Sequence, residues 1–263
     1  MNRSLLARAV AVLVFFAGAP AWGMEGTEGL EAGGAARVVA VVDGDTLWLD
    51  DGAEVRLVGI QAPKLALGRP GFRPWPLAEE AKAALEALTL ERRARLFYGG
   101  RRGDRHGRVL AHLFLDDGTW VQGALLLAGM ARVYSFADNR ARVNEMLALE
   151  ARARRARAGI WAHRFYDVRR ADHLDARADG FQLVEGMVAN AAVVRGRVYL
   201  NFGEDWKSDF TVTVAPRDRR LFDDAGIDTT RFAGARLRVR GWIKQFNGPM
   251  IEVTHPEQIE RLD

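Results

Sequence analysis

Two carboxylates separated by one glycine, Asp43 and Asp45, are followed by Arg56, by Lys64, and by an arginine group at Arg101, Arg102, Arg105 and Arg108. Guanidinium groups in such numbers suit bidentate contact with phosphate. Lys64 could accept a proton only if burial and neighbouring cations lowered its pKa strongly, and the arginines push in that direction. Each residue also has a plainer reading. Asp43-Gly44-Asp45 has the composition of an ordinary turn. Arg56 alternates with Val55 and Leu57 and could pair with Glu54 or Asp45, and any one arginine of the 101–108 group could be a surface charge.

These residues need a scaffold, and the pattern around them is of short strands. Alternation predicts strands at Val38–Val42, Thr46–Leu49 and Glu54–Ile60, with turns at Asp43-Gly44 and Asp50-Asp51-Gly52. A Pro- and Gly-rich excursion, 68–76, leads into a helix expected over Leu77–Leu88 with Ala81, Ala84, Leu85 and Leu88 inward. Strands follow near Ala94–Tyr98 and Val109–Leu115, then helices near Val121–Ala128 and Asn139–Arg157, the last stopped by Gly159. Pattern alone says α+β.

The rest of the 263 residues divides around this block. Arg3 and Arg8, an apolar run from Ala9 to Ala17, and small residues up to Gly23 predict a signal peptide over 1–23, too short to span a bilayer. Export to the periplasm or medium is the expectation, with no transmembrane segment after cleavage. Glycine-rich 24–36 reads as a flexible tether, and 164–180, alternating Arg and Asp, reads as a linker. A second unit, 181–263, is predicted with strands Leu183–Ala189, Arg197–Phe202, Phe210–Ala215, Arg236–Lys244 and Met250–Val253, plus a short helix near Arg217–Ala225. Five strands and one helix suit a small OB-like barrel. Its aromatics interleave with cations, as on single-strand binding sheets; Trp206 and Phe246, in loop contexts, are the candidate stacking residues, whereas most of the others would fill a core.

Composition sets outer limits. The chain has no cysteine, so no disulfide framework. Its net charge of +4 falls to roughly +2 without Arg3 and Arg8, which is weakly basic. Only four of its 38 cations are lysine. The arginine bias suits phosphate, and GC-rich codon usage produces it equally well.

The chemistry-bearing segments resemble the staphylococcal nuclease (thermonuclease-like) family over about residues 37–163. The resemblance rests on Val41-Val42-Asp43-Gly44-Asp45-Thr46, on 55–64, on Asp104-Arg105-His106-Gly107-Arg108 with His for the family's Tyr, and on Leu125–Tyr134, Glu150-Ala151-Arg152 and Gly159-Ile160-Trp161. It implies a five-stranded OB-type barrel with appended helices. It further implies Asp45 as a calcium carboxylate, Arg56 and Arg108 as a phosphate clamp, and Glu80 and Glu150 as acids on the helices, taken here as structural ion pairs. His106 is expected to pack in place of the Tyr.

Two acidic positions of the family pattern are lost. Gln61 stands where a second calcium-binding Asp belongs, and Lys64 where the general-base Glu belongs. The change makes the site three charges more positive. An ammonium about 5 Å from a dication is repelled by roughly 6–7 kcal/mol at an effective dielectric of about 20. Calcium takes six to eight oxygens, and Asp43, Asp45 and Gln61 are too few to hold it tightly.

The expected protein is therefore α+β, mainly β: a thermonuclease-like barrel followed by a second small OB-like barrel. Its expected function is binding single-stranded nucleic acid or another polyanion through Arg56, Arg108 and Lys64, with calcium-dependent hydrolysis weak or lost. Two alternatives stand beside it. One is an active nuclease using another metal or a metal-free base; the other is a non-catalytic cell-envelope interaction module.

Overall fold

The computed structural model describes residues 27–174 and 177–262; the expected signal peptide lies outside them. The first half contains β1 (Glu31–Asp43), β2 (Thr46–Leu49), β3 (Glu54–Leu57), β4 (Ile60–Gln61), α1 (Ala78–Thr89), β5 (Arg93–Tyr98), β6 (Val109–Leu115), α2 (Val121–Leu127), β7 (Arg132–Val133) and α3 (Val143–Arg155). β1, β2, β3, β6 and β5 close into a barrel in that order. Alternation drives the closure: Leu47, Leu49, Val55, Leu57 and Leu113 point inward and are almost wholly buried, while Trp48 and Arg56 point out. α1 covers the barrel with Ala81 and Leu85, and α2 and α3 add Leu125, Leu126 and Met146 to the same core.

β1 starts earlier than composition suggests. Its first residues, expected as tether, pair with β5 from Glu31↔Tyr98 to Arg37↔Arg93. Gly33 belongs there for steric reasons, since a Cβ on it would stand 2.5 Å from the Tyr98 ring.

The second half contains β8 (Arg169–Arg170), β9 (Phe181–Met187), β10 (Asn190–Val194), β11 (Arg197–Asn201), β12 (Thr211–Val214), α4 (Arg219–Asp224), β13 (Arg236–Gln245), β14 (Pro249–Val253) and β15 (Ile259–Arg261). They form one curled sheet in the order β10-β11-β12-β14-β13-β9-β8, with β15 also on β13. It wraps a core of Val198, Leu200, Phe210, Val212, Phe222, Leu237, Val239 and Ile251. The sheet is open, unlike the first barrel.

The two halves are bolted together by polar and aromatic contacts. The stretch expected as a linker is anchored: Tyr166 is buried and donates to the Pro76 carbonyl at 2.7 Å, and β8 pairs in parallel with β9. Tyr134 stacks edge-on against Phe181 at 5.0 Å and its hydroxyl accepts from Trp242 Nε1 at 2.9 Å. Arg140 forks onto the Glu257 carboxylate at 2.9 and 2.8 Å. Buried Glu150 and Arg240 meet through two hydrogen bonds of 3.0 Å. Among the described residues no helix is long and apolar enough to cross a membrane.

His255 also sits at this junction, fully buried, 2.7 Å from Ser135 Oγ and 3.0 Å from Thr254 Oγ1. Burial lowers its pKa to about 4; Glu257 opposes this, and Arg140 and Arg240 add to it. A depressed folded-state pKa means the unfolded chain binds the proton first. The stability His255 contributes is complete above about pH 6.5 and is lost as pH falls toward about 4, at most about 3 kcal/mol. Buried His112, lowered to about 3 by desolvation and Arg142, acts with the same sign. Urea unfolding near neutrality and near pH 4 should therefore show a smaller acid loss for His255→Asn than for the unsubstituted protein. Equal losses would mean His255 is not a source of the acid sensitivity.

Candidate phosphate-facing site

The register of the barrel assembles the site. β3 pairs with β2 antiparallel (Thr46↔Arg56) and with β6 in parallel (Val55↔Val109), so Arg56 lies between the end of the Asp43–Asp45 turn and the entry to β6, where Arg108 stands. Gly44 permits the third side. A Cβ there would meet Ala62 Cβ at 2.6 Å and Ala81 Cβ at 2.8 Å. The bare glycine lets the 62–64 segment close onto the two carboxylates.

Asp45 is the hub. Its side chain has no exposed surface and accepts from Ala62 N at 2.7 Å, from Lys64 Nζ at 2.8 Å on both oxygens, and from Thr46 Oγ1 at 3.3 Å. Arg56 Nη2 lies 3.2 Å away. Burial alone would raise this carboxyl, but Arg56 and Lys64 outweigh it and hold Asp45 well below the ordinary carboxylate range. Asp43 goes the other way: burial, then the Asp45 charge, push it up, with Lys64 opposing. Lys64 Nζ reaches Asp43 Oδ2 at 3.5 Å, so one ammonium bridges both acids.

The other sequence candidates take different posts. Arg56 spends its terminal nitrogens inward, on the carbonyls of Leu57 and Ile60 at 2.8 Å and of Asp45 at 3.3 Å. It supports the Asp45 turn as much as it faces the cleft. Arg108 is held by Asp104 through Nε at 2.8 Å and Nη2 at 2.7 Å, with a quarter of its side chain exposed. Gln61 points elsewhere, and its amide oxygen accepts from Arg132 Nε at 3.0 Å and Nη2 at 2.7 Å, both residues being buried. Arg132 lies 4.6 Å over the Phe181 ring, and desolvation lowers it to about 10.

This donor set does not fit calcium. Of the three oxygen residues the sequence offers, Asp45 and Asp43 share the Lys64 ammonium and Gln61 serves Arg132. A dication beside them would face Lys64 and Arg56 at close range. Among the described residues no group of three or more His, Cys, Asp or Glu side chains is placed to hold a metal ion.

Above the hub lies a cleft of about 670 Å³. Six cations line it (Arg56, Lys64, Arg69, Arg101, Arg105 and Arg108) against three carboxylates, Asp43, Asp104 and Asp138, so even with Asp45 beneath the balance is positive. His106 is exposed on its rim rather than packed, accepting from Arg105 Nε at 3.1 Å. Glu150 is a buried structural pair, as expected; Glu80 stays on the surface. Sequence reasoning missed Arg69, Tyr134 and Phe136 as cleft walls. The Tyr134-Ser135-Phe136 alternation after a two-residue strand was the available signal.

Comparison with known proteins places the barrel segment in a family. Residues 54–163 match the staphylococcal nuclease homologue family. The chain is similar to a thermonuclease of Staphylococcus hyicus, 26% identical over 130 residues, covering 48% of this chain and 75% of that protein. It is 31% identical over 170 residues to Protein ParB of Escherichia coli, covering 60% of this chain and 85% of that protein. It is also 31% identical over 130 residues to the SPbeta prophage-derived endonuclease YokF of Bacillus subtilis (strain 168), covering 48% of this chain and 43% of that protein. With the closed barrel and the matched segment in agreement, the chain belongs to the staphylococcal nuclease homologue family.

Proposed function

We propose that this protein is an exported member of the family that binds single-stranded nucleic acid in the phosphate-facing cleft, and that calcium-dependent phosphodiester hydrolysis there is weak or lost. The observation that carries the reading is the Lys64 ammonium, 2.8 Å from both Asp45 oxygens and 3.5 Å from Asp43, where a cation-dependent site needs free carboxylates. Hydrolysis requires an activated water and stabilisation of charge on the phosphoryl oxygens. The cleft's positive balance supplies the second; Asp43, capped by Asp45 N–H and Lys64, is poorly placed to supply the first.

Two measurements test the reading. Incubating the purified protein with single-stranded DNA, with and without calcium, magnesium or manganese, should leave the DNA intact; cleavage abolished by Arg108→Ala would establish the family's hydrolytic activity instead. Binding should weaken as salt rises, because phosphate neutralisation releases counterions. Arg108→Ala is expected to lower the magnitude of the log–log salt slope by roughly 0.7, the value for one single-strand phosphate contact. Affinity indifferent to salt would sink the proposal.

A further inference from the structure

The outer face of the second sheet carries a groove distinct from the cleft. Cross-strand pairing puts Ala192 beside Tyr199, Asn201 beside Thr211, and Thr211 beside Met250 on one side of the sheet, while Val198, Leu200, Val212 and Ile251 point to the core. These outward residues floor a groove of about 380 Å³, within the range of small-ligand sites. Its walls are Trp206 and Phe246, 55% and 63% exposed. Two large aromatic side chains exposed on one groove are the kind of apolar surface that marks an interaction site.

Chemistry narrows the occupant. The groove's own polar groups are uncharged: the Tyr199 hydroxyl, the Asn201 amide, whose oxygen accepts from Thr211 Oγ1 at 3.2 Å, and the Asn247 amide. Amides and a phenol beside aromatic faces match the edge and face of a heteroaromatic base. Charge lies at the margins. Two residues further along the same strand, Glu252 draws Arg197, Arg217 and Lys244 within 4 Å, and Arg217 also meets Asp218 at 3.5 Å, so three cations face two carboxylates. At the other margin Lys207 Nζ stands 5.6 Å over the Trp206 ring, in a loop that also carries Glu204, Asp205 and Asp209 and supplies no net positive charge. A neutral, aromatic-walled groove with a surplus of positive charge at its Glu252 margin is complementary to stacked bases on an anionic backbone.

We infer that this groove is a second single-strand binding site, in which bases stack on Trp206 and Phe246 while the Arg197–Arg217–Lys244 cluster takes the backbone. The inference rests on the reading of the protein as a nucleic-acid binder and adds a site remote in sequence from the cleft. Other members of the family could bind without it, because its residues lie outside the matched segment 54–163.

The experiment uses the full chain and a fluorescent single-stranded oligothymidylate, with binding read by anisotropy and contacts by ultraviolet crosslinking and peptide mass spectrometry. Trp206→Ala/Phe246→Ala should bind roughly tenfold more weakly, with an unchanged melting temperature because both side chains are exposed. Crosslinks to peptides carrying Tyr199, Trp206 or Phe246 should persist in Arg105→Ala/Arg108→Ala. If the groove variant binds like the unsubstituted protein and all crosslinks fall in the cleft, the second site is refuted and the cleft reading stands. If the groove variant loses binding while the cleft variant does not, the groove stands and the cleft reading fails. Protection of Trp206 fluorescence by a neutral oligosaccharide and not by the oligonucleotide would overturn the proposal in favour of a sugar site.

Discussion

Replacing Lys64 by glutamate is expected to make the stability of this protein depend on calcium, which the unsubstituted chain should not show. The substitution removes the ammonium that Asp45 contacts at 2.8 Å with both oxygens and places a third carboxylate beside Asp43 and Asp45. Like charges about 4 Å apart repel by roughly 4 kcal/mol at an effective dielectric of about 20. Without a divalent cation, K64E should melt well below the unsubstituted protein. A dication among three carboxylates reverses the sign, and calcium at about 100 times its Kd restores about 2.7 kcal/mol. For a chain of this size that is about 5–10 °C in Tm. Differential scanning calorimetry with calcium against EDTA reads it directly. A calcium shift of equal size in the unsubstituted protein would show that Lys64 does not occupy the cation's place.

Gln61 bounds how far such a conversion can go. Its amide oxygen is the acceptor for buried Arg132, and that pair ties β4 to β7 in register. Gln61→Asp would put a carboxylate next to Arg132, where it would form an ion pair instead of a free ligand. The replacements at the two lost acidic positions thus differ in kind. Lys64 fills the site, whereas Gln61 is drawn away from it by a residue 71 positions along the chain.

That difference shows what could be read in advance. The identities of Gln61 and Lys64 were plain in sequence, and so were α1 and β6, whose periodicities are strong and whose ends carry clear turn signals. Where the Lys64 ammonium would go was not legible, because it depends on Gly44 letting Ala62 close onto the Asp43–Asp45 turn. β10 escaped notice, being a strand of small residues with one face against the groove. Residues 31–36 read as tether because glycine and alanine signal flexibility locally, and their role as a strand appears only with Tyr98 against them. Arg240, one of the cations interleaved with the aromatics of the second unit, alternates with Trp242 on its strand, yet it is 1% exposed. Its partner, Glu150, is 90 residues away.

That buried pair carries the largest expected loss of stability. Glu150 Oε2 accepts from Val133 N at 2.6 Å and Arg240 Nη1 at 3.0 Å, and Oε1 accepts from Arg240 Nη2 at 3.0 Å and Arg154 Nη1 at 2.8 Å. Burial would raise Glu150, but Arg240 and Arg154 lower it overall, so it stays ionised in the interior. Glu150→Ala leaves Arg240 with Glu260 as its one carboxylate partner among the described residues and frees the Val133 N–H. Removing one member of such a pair costs about 3–5 kcal/mol, or roughly 6–20 °C in Tm. The double variant Glu150→Leu/Arg240→Met should recover much of that loss, because it leaves no uncompensated charge behind. Val133 immediately precedes Tyr134, a wall of the cleft, so Glu150→Gln, which keeps the shape and loses the charge, should weaken oligonucleotide binding along with stability. If Glu150→Ala melts within a degree or two of the unsubstituted protein, the junction between the halves is not held by this pair, and the aromatic contacts of Tyr134, Phe181 and Trp242 must carry it.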